Sequence, residues 1–283
     1  MLLGSHCITA QTASTLLNEP PSQPQLDAAK LYETVFVPAV FGPWATIVAQ
    51  PAKIQPGERV LDVACGTGIL ARVTRARTGS QGAVVGLDLS RAMLAIARDV
   101  APDITWQHGS AETLPFPDHS FDAVLSQFGL MFFPDRAQAL REMLRVLVPR
   151  GRLIVAVWDT LEHSPGFRAF VDIVERHAGT QLADGLRVPF SLADRTSLAE
   201  LFRTAGATSI AIKTERCIAR YPGIRTLGDD YLRIWRIAGG ASLTDEQIER
   251  IAADAERDLR AYVDAAGQLV YETRAHIVTA TRR

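Results

Sequence analysis

One stretch constrains this chain more than any other: a buried strand that breaks into a glycine turn. An apolar run starts at Val60, the turn reads Cys65, Gly66, Thr67 and Gly68, and apolar residues then recur at helical spacing. A strand, a glycine turn and a helix in succession place backbone N–H groups around a pocket at the carboxyl end of the strand. Glycine has no Cβ, so the backbone can approach a ligand closely at this turn.

Two acidic residues indicate the kind of ligand that this turn binds. Asp88 ends the next apolar run, where a carboxylate can accept hydrogen bonds from ribose hydroxyls. Asp62 lies inside the first strand, where a pyrophosphate site has no use for a second negative charge. Because a buried carboxylate needs a partner, the ligand should carry a cation beside its ribose, as the amino group of S-adenosylmethionine does. We therefore predict a nucleoside-containing cofactor.

The first motif of the class I S-adenosylmethionine-dependent methyltransferases, D/E-x-G-x-G-x-G, resembles this stretch. In this chain the motif consists of Asp62, Ala64, Gly66 and Gly68, so an alanine replaces the first glycine. We expect this replacement to cost little unless the position requires a positive φ angle. The resemblance implies S-adenosyl-L-methionine as the cofactor and S-adenosyl-L-homocysteine as its product.

Strands alternate with helices across the first half of the chain, which predicts an α/β fold with a doubly wound, mostly parallel sheet. The strands are predicted at 59–64, 83–88, 104–107, 121–126 and 152–158, and the helices at 68–77, 90–100 and 135–147. The resemblance implies seven strands, the last of them forming a reversed hairpin. Ligands of such sheets bind outside the carboxyl ends of the strands. This rule gathers five residues on one rim: Gly66, Asp88, Ser110, Ser126 and Asp159.

The segment 109–122 resembles the pattern G-D-A-E-x-L-P-F-P-D-x-S-F-D of the type 11 group, the ubiquinone/menaquinone-biosynthesis methyltransferases. Ser110 replaces an aspartate that the resemblance places at the adenine amino group, and its hydroxyl can still accept a hydrogen bond. Ala111 would keep a backbone contact to the adenine. Leu89 and Met93 fit the apolar walls of the adenine site, although ordinary helix packing explains them equally well.

Ser126 and Gln127 end the fourth strand. Class I enzymes that methylate adenine or glutamine amides carry an Asn/Asp-Pro-Pro-Tyr/Phe motif at this place, and this chain does not. The resemblance adds Ser126 and Gln127 to the cofactor-binding residues and argues against those acceptors.

The regions outside this unit are predicted to form a leader and lids. Residues 1–25 read as a disordered leader, and residues 26–283 as a single methyltransferase domain. Helical lid elements are expected at 26–50, 160–190 and 221–268. Pro38 and the pair Gly42 and Pro43 should divide the first of these lids into short helices.

The remaining elements of the second half are predicted from its periodicity. A helix is expected at 191–206, a strand at 208–213 that extends at most to 219, a helical segment at 226–266 and a closing strand at 273–281.

An aromatic group within these lids predicts an acceptor pocket. Its walls would be Tyr32, Phe36, Phe41 and Tyr231, with ordinary core packing as the alternative. Transfer to an oxygen or carbon atom can require a base. His163, just past the fifth strand, is the preferred candidate; Asp159, Tyr32 and Tyr231 are further candidates, and a structural role for His163 is the alternative.

Charge and cysteine content narrow the partners and the compartment. The chain has 30 basic and 31 acidic residues, a balance that favours neither nucleic acid nor an anionic membrane surface. No apolar stretch reaches the roughly 20 residues of a membrane span. Cys7, Cys65 and Cys217 are too scattered for a disulfide framework or a zinc site. We expect a cytoplasmic protein without a metal, whose partner is a small molecule, and leave its oligomeric state open.

Three functions are compatible with these patterns. The leading one is methyl transfer from S-adenosylmethionine to an oxygen or carbon, less often nitrogen, of a lipophilic or aromatic small molecule. An NAD(P)-linked oxidoreductase is the second, because Gly66, Gly68 and Ala71 also satisfy the loose pattern G-x-G-x-x-G/A. The third is a non-catalytic protein that binds an adenosyl ligand.

Overall fold

The computed structural model describes residues 20–237 and 243–282. Residues 1–19 of the predicted leader therefore lie outside the described residues. Helix α1 (Gln23–Leu31) begins inside the last part of that leader, because Ser22 forms a capping box with Gln25 at its N-terminus.

Seven strands form one sheet. They are β1 (Arg59–Val63), β2 (Ala83–Asp88), β3 (Thr105–His108), β4 (Phe121–Gln127), β5 (Leu147–Trp158), β6 (Thr208–Tyr221) and β7 (Leu269–Thr281). Their order is β3-β2-β1-β4-β5-β7-β6, with β1 to β5 parallel and β7 antiparallel to both of its neighbours. This order confirms the predicted doubly wound, mostly parallel α/β sheet with a reversed hairpin.

Helices cover the sheet and extend beyond its carboxyl ends. After α1 they are α2 (Gly42–Ala49), α3 (Ile69–Thr78), α4 (Arg91–Val100), α5 (Arg136–Val146), α6 (Pro165–Ala178), α7 (Thr180–Arg187), α8 (Arg195–Thr204), α9 (Leu232–Ile237) and α10 (Asp245–Asp258). Two segments, Tyr32–Phe41 and Thr226–Tyr231, are π-helical. The predicted helix at 191–206 starts later than expected because the Asp194 carboxylate accepts the Ser197 N–H and makes Asp194 the N-cap.

The first predicted lid is a continuous helical stretch rather than separate short helices. It runs from Gln23 to Ala49, and Pro38 lies within its π-helical part. By length and composition alone this stretch, with a mean hydropathy of 1.3, could span a membrane. Its C-terminal part packs on the sheet instead: Trp44 is fully buried and its Nε1 donates to Thr273 Oγ1 of β7 at 3.0 Å.

The hairpin of β6 and β7 is longer than the sequence predicts. Its ladder runs without interruption from the pair Ala211 and Thr279 to the pair Tyr221 and Leu269. Charged residues alternate along this pair, which weakened the strand pattern in the sequence, but the ladder hydrogen bonds continue past them. The predicted helical segment 226–266 correspondingly breaks into the second π-helical segment, α9, α10 and a short 3₁₀ turn.

Candidate active site

The turn after β1 holds three residues in the left-handed region. They are Ala64 (φ 58°), Gly66 (φ 56°) and Gly68 (φ 89°). The Trp106 ring fills the space that a Cβ on Gly68 would need, so this position requires glycine. The sequence predicts that alanine at position 64 costs little unless the position requires a positive φ. Ala64 does have a positive φ, which costs a non-glycine residue about 1 kcal/mol or more.

Asp88 joins this turn to the end of β2. Its Oδ2 accepts the Gly66 N–H at 2.8 Å, and its Oδ1 accepts the Ser90 N–H at 2.7 Å. Burial raises the pKa of Asp88, and the two backbone N–H groups partly offset that rise. A carboxylate held in this way presents its remaining lone pairs at the carboxyl edge of the sheet, where a ribose would bind.

Asp62 is a buried carboxylate without a hydrogen-bond partner. It is 1% exposed, and neither of its oxygens makes a hydrogen bond within the described part of the chain. Burial raises the pKa of Asp62 well above its ordinary value. The nearby backbone N–H of Ala71 offsets part of this rise without meeting the geometry of a hydrogen bond, and the charge of Asp88 adds to it. A buried carboxylate in this condition destabilises the protein unless a cation or a proton neutralises it.

Three more buried polar atoms near the carboxyl ends of β1 and β4 also lack partners among the described residues. They are Thr67 Oγ1, Ser126 Oγ and Gln127 Oε1. The strands β1 and β4 are adjacent, and Asp62 pairs with Leu125 in their register, one residue before Ser126. The same rim therefore offers an unpaired carboxylate and several unpaired oxygens. This donor set fits a ligand with an ammonium group and hydroxyls, which is the chemistry of S-adenosylmethionine.

The predicted adenine residues lie around the ends of β2 and β3. Leu89 is 37% exposed, as single leucines at a protein surface commonly are, so its place in the adenine wall stays a prediction. The Ser110 hydroxyl accepts the Glu112 N–H at 3.2 Å, and Ala111 is buried. Met93 packs against a small cluster between α1 and α4, as ordinary helix packing would place it.

An apolar cavity of about 80 Å³ lies between the lids and the ends of β5, β6 and β7. It is lined by Phe36, Val40, Phe41, Trp158, Ser164, Phe167, Pro189, Phe190, Tyr221, Tyr231, Tyr271 and Thr273. Three of the four predicted wall residues are among them. The fourth, Tyr32, does not line the cavity, since its ring lies over Gly66 instead.

Sequence reasoning missed most of this lining. Tyr221 and Tyr271 become neighbours, with ring centroids 5.9 Å apart, only through the antiparallel register of β6 and β7. Trp158 stacks on Phe128 at 3.7 Å, a contact between the ends of β4 and β5. The available signal was the position of Trp158 at the end of a predicted strand, on the ligand rim.

The polar groups of this cavity are neutral hydroxyls. None of the described residues that line it carries a charge. Burial raises the pKa of Tyr221 to about 12, and it also raises the pKa of Tyr231 and Tyr271. All three phenols therefore stay protonated at neutral pH and can donate a hydrogen bond to an uncharged acceptor.

His163 forms a pair with Asp159 beside the cavity. Its Nδ1 lies 2.6 Å from Asp159 Oδ2, and the other carboxylate oxygen lies 3.2 Å from Nε2 of the buried His276. Hydrogen bonding to His163 lowers the pKa of Asp159 against the effect of burial. His163 is 45% exposed and does not line the cavity, whereas the next residue, Ser164, does. Its role as a base stays a prediction.

Within residues 20–237 and 243–282, no group of three or more His, Cys, Asp or Glu side chains could hold a metal ion. Cys65 and Cys217 are free thiols, and Cys7 lies outside the described residues.

Comparison with known proteins agrees with this geometry. A family profile described as "Methyltransferase domain" matches residues 61–155. The 2-phytyl-1,4-naphtoquinone methyltransferase of Synechococcus elongatus is 39% identical over 137 residues, which are 46% of this chain and 58% of that protein. The demethylmenaquinone methyltransferase of Listeria welshimeri is 37% identical over 180 residues, 58% of this chain and 75% of that protein.

The chain spans about half the length of the curated relatives that it matches first. Among solved structures, the YcgJ protein of Bacillus subtilis superposes with a TM-score of 0.56 at 19% identity, over 84% of this chain and 97% of that one, and shows the same fold. The match to the Listeria protein establishes the family of this chain, because it covers 75% of that protein at 37% identity. The chain therefore belongs to the class I S-adenosylmethionine-dependent methyltransferases, in the type 11 (ubiquinone/menaquinone-biosynthesis methyltransferase-like) group, and the predicted family and cofactor are confirmed.

Proposed function

We propose that this protein transfers the methyl group of S-adenosylmethionine to an oxygen or carbon atom, less often nitrogen, of a small, uncharged, lipophilic or aromatic molecule. The observation that carries the proposal is Asp62, a carboxylate that is 1% exposed, unpaired and located at the carboxyl end of β1. A dinucleotide would bring the negative charge of its pyrophosphate to this end of the strand, whereas S-adenosylmethionine brings an ammonium group.

Different residues bind different parts of the cofactor. Asp62 pairs with the ammonium, and Asp88 accepts from the ribose hydroxyls. The turn residues Ala64, Gly66 and Gly68 let the backbone approach the ligand. The adenine lies among Leu89, Met93, Ser110 and Ala111. Ser126 and Gln127 face the reacting end, and the Gln127 amide is fixed because its Nε2 donates to the Phe41 carbonyl at 3.0 Å.

The cofactor, when bound, supplies an electrophilic methyl group. The protein holds the acceptor in line with the bond that breaks, and it excludes water from that place. The ends of β4 and β5 suit this task, because Phe128, Trp158 and Trp44 form a rigid aromatic group there.

The acceptor pocket is the apolar cavity. At about 80 Å³ it is much smaller than a typical ligand pocket of roughly 300–1,000 Å³, so an acceptor enters only when its aromatic walls move. Most of the walls come from three lids, at 26–50, 160–190 and 221–268, which we assign to one methyltransferase domain, and the rest come from β5 and β7. The tyrosine hydroxyls would donate to the carbonyl or hydroxyl oxygens of a ring.

A quinone-like ring has this chemistry, and the Synechococcus and Listeria relatives are named as methyltransferases of 2-phytyl-1,4-naphtoquinone and demethylmenaquinone. We extend that acceptor class to this chain as part of the proposal. The near-neutral charge gives no reason to expect nucleic acid, and the few, scattered cysteines support a cytoplasmic location.

For an acceptor that must lose a proton, His163 is the base in this proposal. Asp159 holds Nδ1, which leaves Nε2 as the nitrogen that can accept a proton. Asp159 would orient the imidazole and stabilise its charged form.

A label-transfer assay tests the function. Purified protein, S-adenosylmethionine labelled in its methyl group, and a panel of demethylated quinones, phenols and polyketide-like rings should give labelled organic product. Asp62→Asn should reduce that transfer at least tenfold at a subsaturating concentration of the cofactor. Oxidation or reduction of NAD(P) without label transfer would establish the oxidoreductase reading. Binding of S-adenosylhomocysteine with no transfer to any acceptor would favour a non-catalytic adenosyl-binding protein.

A further inference from the structure

Tyr32 lies over the glycine turn and away from the acceptor cavity. Its hydroxyl is 3.9 Å, and its Cε1 3.8 Å, from the position that a Cβ on Gly66 would take. The ring therefore lies beside the turn, on the side to which a side chain at Gly66 would point, and this turn follows Asp62 by a few residues. This position connects Tyr32 with the cofactor end of the site.

Three contacts hold the segment that carries Tyr32 against the site. The Tyr32 ring stacks on Phe41, with centroids 5.0 Å apart. Glu33 forms a two-pronged ion pair with Arg72 of α3, at 2.8 and 3.0 Å, with 14% and 26% of the two side chains exposed. A partly buried, bidentate pair of this kind fixes geometry better than an exposed one. Tyr32 is thus placed, and it does not swing freely over the turn.

The surroundings of the Tyr32 hydroxyl are acidic. Burial is the main cause that raises its pKa, and the carboxylates of Asp88, Glu33 and Asp62 raise it further. The phenol therefore stays protonated, as a neutral hydrogen-bond donor among acidic groups. Arg72 neutralises Glu33, and the ammonium of the cofactor would neutralise Asp62.

From this arrangement we infer that the Tyr32 hydroxyl binds the carboxylate at the amino-acid end of the cofactor. The inference rests on the proposed function. In S-adenosylmethionine the ammonium and the carboxylate share one carbon atom, so a ligand anchored at Asp62 brings its carboxylate into the same neighbourhood. The carboxylate needs a donor there, and Tyr32 presents one over the adjoining turn.

Two ligands that differ only in this carboxylate test the inference. The full chain, as wild type and as Tyr32→Phe, is titrated with S-adenosylmethionine and with decarboxylated S-adenosylmethionine, which keeps the ammonium. The phenylalanine keeps the ring over Gly66 and its stacking on Phe41, so the fold is preserved. The matched control is Tyr262→Phe, a tyrosine in the 3₁₀ turn Arg260–Tyr262 that does not line the cavity.

The wild type should prefer the complete cofactor by roughly tenfold or more, as expected for a hydrogen bond to a charged group. Tyr32→Phe should remove that preference by lowering the affinity for S-adenosylmethionine and leaving the affinity for its decarboxylated form unchanged. Tyr262→Phe should keep the preference. A preference that survives in Tyr32→Phe, or an equal loss for both ligands, would overturn the assignment. Failure of the wild type to bind either ligand would instead refute the proposed function.

Discussion

The Cβ of Ala64 occupies the space that a Cβ on Gly129 would need, with only 2.7 Å between the two positions. Ala64 follows β1, and Gly129 follows β4 and the strained residue Phe128, whose φ is 56°. The alanine that replaces the first glycine of the methyltransferase motif therefore faces a glycine on the adjacent strand end. The two positions are matched in size.

This pairing predicts that added volume at Gly129 costs more stability while Ala64 is present. Gly129→Ala should destabilise the protein by about 1–3 kcal/mol, because real Cβ atoms do not approach to 2.7 Å. In an Ala64→Gly background the cost should fall, with a coupling of about 1 kcal/mol or more measured by urea unfolding. Gly223→Ala, where the nearest atom is 3.9 Å away, serves as the control for an added methyl group. Strictly additive costs would contradict the pairing.

Replacement of the Asp62 carboxylate should stabilise the ligand-free protein and weaken cofactor binding. Asp62→Asn removes a carboxyl that can be buried only by taking up a proton or as an unpaired charge, so we expect unfolding to cost about 1 kcal/mol more and Tm to rise by about 2–4 °C. Cofactor affinity should fall by about 1.5–3 kcal/mol, because a hydrogen bond to a charged group is lost. The control is Asp103→Asn, since that carboxylate is 64% exposed and pairs with Arg75. Unchanged affinity in Asp62→Asn would remove Asp62 from the site.

Cofactor binding should release a proton from Asp62. The pKa of this carboxyl in the folded, ligand-free protein is raised above its unfolded value. Its contribution to stability is therefore complete below the ordinary aspartate pKa, and it is lost as the pH rises through the folded pKa. A bound ammonium lowers that pKa again and expels the proton.

Calorimetric titration in two buffers of different ionisation enthalpy measures this proton. At about pH 6 the amino group of the cofactor is already protonated, so the released proton comes from the protein. Wild type should release a proton and Asp62→Asn should not. An equal proton count in both proteins would assign the proton to another group.

Loss of the Asp88 carboxylate should both weaken cofactor binding and make the backbone of the glycine turn more mobile. Asp88→Ala removes the ribose acceptor, so we expect about 1–3 kcal/mol less binding free energy. It also removes the acceptor of the Gly66 and Ser90 N–H groups, so amide exchange at these two residues should accelerate. Asp88→Asn is the matched variant, because its remaining carbonyl can keep one of the two bonds. Wild-type binding in Asp88→Ala would exclude a ribose contact.

The parallel half of the sheet and its ligand rim follow from local patterns. Strand and helix periodicities fix β1 to β5, and the rule for parallel sheets then brings Gly66, Asp88 and Ser126 to one edge. Asp62 could be singled out because a charge within an apolar strand needs a partner, whatever surrounds it. The sequence thus predicts the ligand rim of the sheet, and the role of each of its residues toward the cofactor stays a prediction.

The acceptor end depends on packing between distant segments. The register of β6 against β7 brings Tyr221 and Tyr271 together, and charged residues along that hairpin obscure its strand pattern. The place of each aromatic side chain of the lids depends on the residues that it packs against. Tyr32 lies over Gly66, while Phe36 lines the cavity, with its ring centroid 5.8 Å from that of Tyr231. Helical spacing shows that such residues share a face, and it does not show which part of a site that face covers.

Parallel calorimetric titration of the purified protein with S-adenosylmethionine, S-adenosylhomocysteine and NAD tests the central claim most directly. The account predicts micromolar binding of both adenosyl ligands, binding at least tenfold weaker in Asp62→Asn, and no binding of NAD. Binding of NAD without either adenosyl ligand would contradict it, because the turn after Asp62 would then hold a pyrophosphate and not an ammonium group.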